Sequence, residues 1–201
     1  MIIKWVTVFC FCVTFYSKAQ VNTVLKNNYM DFFMATTTFG VEQNVRNTVS
    51  VQLCLGYTYA ETFGIYDARN LRGGLFELQI RRYLIPGKQQ SLSHVYFGGS
   101  LVHRFASYLT DEGYYLNNQY VEIKDIKAKA NYFSFGGIVG YQLPLLKNKL
   151  LWDNYFGVCG RIGSGYKPHR AYSHEPENMI FQLSYSGIAP KFGTAFCLVI
   201  R

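Results

Sequence analysis

His103 and the serines near it are the residues whose types could support acyl transfer or hydrolysis. Such chemistry needs a nucleophile in contact with a base, and His103 would be the base. Successive side chains of a strand point to opposite faces, so Ser100 lies on the face away from His103. Ser107 shares the face of His103 but lies about 13 Å along the strand. This spacing makes a lipid-modifying enzyme, acting on the acyl chains of lipid A, the alternative rather than the main prediction.

A second group of candidate residues, His169, His174 and Glu175, lies in the segment KPHRAYSHEPE. Imidazole and carboxylate groups are common metal ligands, but this spacing matches no regular metal-binding motif. We expect a polar loop here, and we assign no metal site and no cofactor to the chain.

The cysteines show no pattern of a metal or redox site. Cys54, Cys159 and Cys197 are far apart and lack a CxxC spacing. We expect three separate thiols that fill space, with one disulfide as the open alternative.

The composition of the 201-residue chain favours β-structure. It holds 17 Tyr, 16 Phe and 18 Gly but only 5 Pro, a bias typical of many closely packed strands. Lys and Arg number 20 against 12 Asp and Glu, yet they form no long basic run. A nucleic-acid partner is therefore not expected.

The N-terminal segment has the pattern of a secretory signal peptide. Lys4 precedes an apolar run from Trp5 to Tyr16, and small residues precede the cleavage position before Gln20. The run is shorter than the roughly 20 residues that a membrane-spanning helix needs. We predict a signal peptide over 1–19 and a single domain over 20–201.

The stretch TVSVQLCLGYTYA, residues 48–60, shows how this domain is built. Its odd positions carry Val, Leu and Tyr, and its even positions carry mainly small or polar residues. A strand with this alternation has one large apolar face and one small polar face. A soluble barrel would turn the apolar face inward, whereas a membrane barrel turns it toward lipid.

Further segments with the same alternation continue to the C-terminus. Their polar faces combine charges with Gly, Ser and Ala, which suits the crowded interior of a narrow barrel, and their apolar faces carry almost no charge. We therefore predict an all-β fold, an antiparallel up-and-down transmembrane β-barrel of about eight strands. The predicted structural charge network of the lumen is Glu42, Glu77, Arg81, Arg104, Asp153, Arg161 and Lys191. The predicted lipid-facing residues are Val51, Leu53, Leu55, Phe76, Leu78, Phe97, Phe135, Phe156 and Phe196.

Within this interior we expect Arg104 to lie beside Glu77, because their strands should be neighbours, and to be the centre of the ion network. Tyr114, Tyr115 and Tyr120 stand in a predicted loop. They could bind a ligand or form part of an aromatic belt at the membrane interface.

Short turns are predicted to alternate with long loops over 60–70, 110–127 and 164–178. Outer-membrane barrels have short periplasmic turns and long external loops. For the N-terminus to start in the periplasm, the chain must cross once before Phe33. Residues 21–28 could supply this crossing as a short strand, and MIFQLSY near the C-terminus is a further candidate strand.

Four segments, FGVEQNVRNTVSVQLCLGY, GGLFELQIRRYL, YFGGSLVHRF and APKFGTAFCLVI, resemble those of small outer-membrane β-barrel proteins of Bacteroidetes-type bacteria. In that family a strand ending Gly-x-Glu leads through a short turn into a strand ending Gly-Tyr. The resemblance spans the chain after the signal and implies the barrel fold and an outer-membrane location, but no activity. The matching positions are Gly40, Glu42, Gly56, Tyr57, Glu77, Arg81, Tyr83, Pro190 and Gly193.

The main functional prediction is an outer-membrane barrel without catalysis. Its role would be structural, or would lie in binding an extracellular ligand or protein partner through its long external loops. Its surroundings would be outer-membrane lipid, reached by secretion through a cleaved signal peptide. A lipid-modifying enzyme and a soluble secreted ligand-binding barrel are the alternatives, and the sequence does not define an oligomeric state.

Overall fold

A computed structural model describes residues 23–29, 31–32, 35–46, 48–63, 68–84, 95–116, 119–146, 149–165 and 186–200. These residues form eight antiparallel strands that pair in sequence order and close into a barrel through the first and last strands. The predicted all-β up-and-down barrel is thus confirmed. The strands are β1 Thr23–Asn28, β2 Thr36–Arg46, β3 Val49–Phe63, β4 Ala68–Tyr83, β5 Val95–Leu116, β6 Gln119–Leu145, β7 Leu150–Gly165 and β8 Gly187–Ile200.

The first and last strands place both ends of the described chain at the same end of the barrel. Thr23 at the start of β1 pairs with Ile200 at the end of β8. The short strand expected within residues 21–28 is thus present as β1. We call this end of the barrel the terminal end and the opposite one the loop end.

Several sequence predictions fall on residues that the structure does not describe. These are the signal peptide over 1–19, the MIFQLSY segment over 179–185 and most of the loop over 164–178. Within the described ranges, no helix is long and apolar enough to cross a membrane.

Alternation along the strands gives the barrel two different surfaces. In β3, Ser50, Gln52 and Cys54 are buried, whereas Leu55 and Tyr57 are 54% and 61% exposed. The other strands also place most large apolar side chains outside, and their buried polar and charged side chains lie inside with a smaller set of apolar ones. A soluble barrel would have the reverse order, because burial of apolar surface is what stabilises it in water.

The predicted loop over 110–127 is wrong. β5 continues to Leu116, and β6 begins at Gln119, so the segment is a tight hairpin. The loop predicted over 60–70 is also shorter, because β3 and β4 extend to the positions flanking 64–67. Hydrophobic alternation fades where both faces of a strand meet water, while cross-strand hydrogen bonds continue.

The paired ends of β5 and β6 project beyond the neighbouring strands. Among the described residues, β4 pairs with β5 only as far as Leu109, and β7 pairs with β6 only from Ala130 onward. Residues 110–116 and 119–126 therefore form a two-stranded ribbon at the loop end. Within the described part of the chain, no third strand pairs with either edge of this β5–β6 ribbon.

Candidate functional site

Four charged side chains meet in the half of the barrel interior nearer the terminal end. Lys26 Nζ lies 2.5 Å from Glu42 Oε2 and 2.5 Å from Asp153 Oδ2. Arg81 Nη1 donates to Asp153 Oδ2 at 2.6 Å and lies 3.4 Å from Glu42 Oε2. Two cations and two anions thus balance one another in a fully enclosed place. We call these residues the four-charge cluster.

Neighbouring side chains complete the hydrogen bonding of the two carboxylates. Tyr83 OH donates to Glu42 Oε1 at 2.5 Å, and Ser50 Oγ donates to the same oxygen. Tyr96 OH donates to Asp153 Oδ1 at 2.8 Å. Buried charges are costly unless they are both paired and hydrogen-bonded, and this cluster meets both conditions.

Arg81 links the four-charge cluster to the middle of the barrel. Its Nε and Nη2 atoms donate to Gln79 Oε1 at 2.8 and 2.6 Å, and its guanidinium lies 4.4 Å from the centre of the Tyr96 ring. Gln79 Nε2 in turn donates to Glu77 Oε1 at 2.5 Å. Arg81 is therefore the best-connected cation of the interior.

Glu77 and Lys191 form a second ionic group, with balanced charge, in the middle of the barrel. Lys191 Nζ on β8 lies 2.7 Å from Glu77 Oε1, and Ser100 Oγ donates to the same oxygen at 3.2 Å. This group continues the polar column that starts at the four-charge cluster.

A third ion pair lies nearer the loop end, between Arg104 on β5 and Asp31 in the β1–β2 connection. Arg104 Nη2 is 3.1 Å from Asp31 Oδ1, and Thr38 Oγ1 donates to Asp31 Oδ2 at 2.8 Å. Burial raises the pKa of Asp31 above its ordinary value, although Arg104 acts in the opposite direction. Through these contacts the Asp31 side chain lies over the interior and covers the buried guanidinium of Arg104.

The expectation that Arg104 lies beside Glu77 and centres the network is wrong. In the β4–β5 ladder Glu77 pairs with Val102, and Arg104 is two residues further along the strand. The partner of Glu77 comes from β8 instead, because side chains in a narrow closed barrel reach across the lumen as well as along the ladder.

Apolar side chains and Arg161 occupy the interior at the loop end. The Arg161 guanidinium lies 4.2 Å from the centre of the Tyr132 ring. Side chains thus fill the described interior from one end to the other, as expected for a barrel of eight strands. The buried apolar cluster around Tyr132 comprises Leu71, Leu75, Val102, Ala106 and Ala130.

Two glycines make room for the tyrosines of the interior. A Cβ atom at Gly140 would lie 2.5 Å from Tyr96 Cζ, and one at Gly193 would lie 2.2 Å from Tyr155 Cζ. Real Cβ contacts are essentially never that short, so glycine at these two positions leaves the space that each ring occupies. Gly140 in this way places Tyr96 OH on Asp153.

Lys26 and Asp31 are absent from the interior charges that the sequence predicts. Once β1 is recognised as a strand, alternation puts Val24 and Lys26 on its inner face, so the segment VLKNN carried a usable signal. Asp31 lies in a connection, where no alternation operates. Nothing in the sequence could have placed it over the interior.

All the predicted lipid-facing residues point outward. Leu55 and the five phenylalanines are exposed, and Val51, Leu53 and Leu78 are partly exposed. On β6 the outer face is free of charge from Phe133 to Leu143, about 33 Å along the strand and about 25 Å along the axis of a tilted barrel. We call this outer zone the apolar band.

His103 lies on the outer surface within the apolar band. Its Nε2 atom hydrogen-bonds with Asn131 Oδ1 at 2.7 Å, and its ring stacks on Phe133 with centroids 4.2 Å apart. Ser100 points inward to Glu77, and Ser107 Oγ donates to a backbone oxygen at 3.4 Å. The structure therefore brings neither serine to His103.

The remaining candidate residues include three thiols inside the barrel and the tyrosines of the β5–β6 ribbon. Cys54, Cys159 and Cys197 are buried free thiols. Tyr120 on the β5–β6 ribbon is 61% exposed. In the described ranges, no three His, Cys, Asp or Glu side chains gather into a metal site. The positions that lie outside the described residues are His169, His174 and Glu175, together with the side chains of Tyr114 and Tyr115.

These features define a closed β-barrel with a charged, filled interior and an apolar exterior. The chain belongs to the family described as "Protein of unknown function (DUF3575)", which matches residues 5–182. Among solved structures it is similar to the N-terminal β-barrel domain of Pseudomonas aeruginosa OprF, with 9% identity and a TM-score of 0.42 over 90% of this chain and 96% of that chain. No curated protein matches the sequence.

Proposed function

We propose that the protein is a barrel of the bacterial outer membrane, secreted through the signal peptide over 1–19 and held in lipid by its apolar band. The observation that carries this proposal is the order of the two surfaces, with charges buried inside and large apolar side chains outside. Such an exterior is unfavourable in water and favourable in lipid. A band of about 25 Å also suits the height of the lipid-facing zone of outer-membrane barrels.

The loop end is proposed to face outside the cell. The paired strands extend furthest at the loop end, in the β5–β6 ribbon, whereas two of the three connections at the terminal end, after Arg46 and after Leu145, are short. This asymmetry supports a periplasmic position for both termini. The resemblance of the sequence to small outer-membrane barrels of Bacteroidetes-type bacteria supports the same location.

A structural or binding role, without catalysis, suits this barrel best. Its described interior is filled by side chains, so reconstituted protein should show no steady ion conductance. The β5–β6 ribbon offers backbone edges beyond the neighbouring strands to an extracellular ligand or protein partner. Unpaired strand edges are established templates for partner binding.

Cell fractionation tests the location. The mature chain should sediment with the outer membrane, require detergent, and migrate differently on gels before and after heating. Recovery of folded monomer from the soluble periplasm would instead support a soluble secreted ligand-binding barrel.

Mass spectrometry of lipid A from wild-type and deletion strains tests the enzymatic alternative. We expect identical acyl chains in the two strains, because His103 lacks a nucleophile among the described residues. A deletion-dependent change in acylation would overturn the non-catalytic role.

A further inference from the structure

Three cations lie side by side on the outer surface, just beyond the apolar band at the loop end. Arg72 on β4 pairs with Ser107 on β5, and Ser107 pairs with Lys129 on β6. Arg72 and Lys129 therefore lie about 10 Å apart across the strands, and Lys127 lies about 7 Å from Lys129 along β6. All three side chains are exposed. We call Arg72, Lys127 and Lys129 the basic patch.

Three acidic side chains of the adjacent ribbon are engaged with other cations. Asp111 and Asp125 lie 2.5 and 3.2 Å from Arg69 Nη2, and Glu122 lies 3.5 Å from Lys124. Among the described residues, the cations of the basic patch form no ion pair. Their positive charges are exposed and can be neutralised by an anion.

The basic patch adjoins apolar and aromatic surface on the same strands. Phe105, two residues from Ser107 on the same face, is 54% exposed, and Phe133 follows on β6 toward the barrel middle. Tyr59 lies beside Arg72, whose guanidinium carbon is 5.8 Å from the ring centre. A ligand that matches this surface needs an anionic head at the height of the patch and apolar chains along the band.

We propose that the basic patch binds the phosphate-bearing headgroup of an outer-leaflet lipid, whose acyl chains lie against Phe105 and Phe133. The proposal rests on the outer-membrane location proposed above, which sets the patch at the external membrane surface. Each Lys or Arg side chain near a membrane surface strengthens binding to anionic lipid. Phosphate is a strong acceptor for both side chains, and the guanidinium of Arg72 can donate two parallel hydrogen bonds to it.

Binding of purified, detergent-folded protein to lipid A with and without its phosphates tests this. The variant Arg72→Gln/Lys127→Gln/Lys129→Gln should bind phosphorylated lipid A at least about tenfold more weakly than wild type. The matched control Arg46→Gln/Arg82→Gln/Lys149→Gln removes the same charge from exposed sites at the terminal end and should stay within about twofold of wild type. With dephosphorylated lipid A, all three proteins should bind equally.

Equal binding of phosphorylated lipid A by the wild type and the patch variant would overturn the proposal. So would an equal loss in the terminal-end variant, which would show that only net charge matters. If the triple variant does not fold, Lys129→Gln against Lys149→Gln gives the same comparison with one exposed side chain each.

Two further measurements on the same samples, heat-modifiable migration and flotation with vesicles, test the outer-membrane location separately from lipid binding by the basic patch. Failure of the wild type to insert into vesicles would contradict the outer-membrane location. Insertion with no preference for phosphorylated lipid would contradict the lipid site alone.

Discussion

Arg81 of β4 and Asp153 of β7 form an ion pair of 2.6 Å across the barrel interior, although their strands are not neighbours in the sheet. Lys26 and Glu42 close the same cluster from β1 and β2. Contacts of this kind tie opposite walls together and fill the lumen, so they bear on both stability and permeability.

Arg81→Met should destabilise the barrel strongly. The change leaves the carboxylates of Glu42 and Asp153 buried with Lys26 as their remaining cation, and loss of one partner of a buried pair typically costs about 3–5 kcal/mol. Reversible urea unfolding in detergent or lipid measures the change. Arg82→Met, one position along the strand, alters an exposed outward side chain and should have little effect. Equal losses in the two variants would contradict the interior role of Arg81.

A double-mutant cycle should separate true partners from mere strand neighbours. Arg81→Met and Asp153→Asn should be coupled, so that the double variant recovers part of the summed loss. Arg104→Met and Glu77→Gln should be additive, because these two residues belong to different ion pairs. Coupling in the second cycle alone would mean that Arg104 and Glu77 are partners, as the sequence predicts, and that Arg81 and Asp153 are not.

Val139→Arg should hinder insertion into lipid. Val139 is exposed near the middle of the apolar band on β6, where an arginine in a lipid-facing position costs about 2–4 kcal/mol. Thr37→Arg, at an exposed outward position near the loop end of β2, should cost roughly 0–1 kcal/mol. Folding yield into vesicles, read by heat-modifiable migration, compares the two. A soluble barrel would tolerate both changes alike.

Gly140→Ala should disturb the four-charge cluster without touching a charge. The added Cβ would lie 2.5 Å from Tyr96 Cζ and 2.6 Å from the backbone oxygen of Asn154, so the Tyr96 ring and the adjacent β7 backbone must shift. We expect a loss on the order of 1–3 kcal/mol, the usual cost of overpacking. At Gly99 the nearest atom lies 4.0 Å from an added Cβ. Gly99→Ala should therefore be nearly silent in the same unfolding assay.

Asp31 should give the barrel a pH dependence of its own. Because burial raises its pKa above 3.8, the folded chain holds a proton at Asp31 more readily than the unfolded chain does. Its contribution to stability is therefore present at low pH and is lost as pH rises through the pKa of the folded state. Relative to Asp31→Asn, the wild type should lose unfolding free energy as pH rises from about 4. A difference between the two proteins that is constant with pH would contradict the buried position of Asp31.

The two-residue alternation of the strands was sufficient to predict the barrel and the side on which each face lies. Gln52 and Leu53 are adjacent in sequence, and strand geometry sends them to opposite surfaces whatever the rest of the chain does. The excess of small and charged residues on one face then favours a narrow interior over a solvent-facing wall. These properties are local, so sequence carries them directly.

Which charges pair was decided by the tertiary structure. Glu77 meets Lys191 and Arg81 meets Asp153 because closure of the sheet brings strands from distant parts of the sequence to face one another across the lumen. Asp31 reaches Arg104 from a connection that carries no periodic signal. Register and closure are properties of the whole sheet, and no single segment contains them.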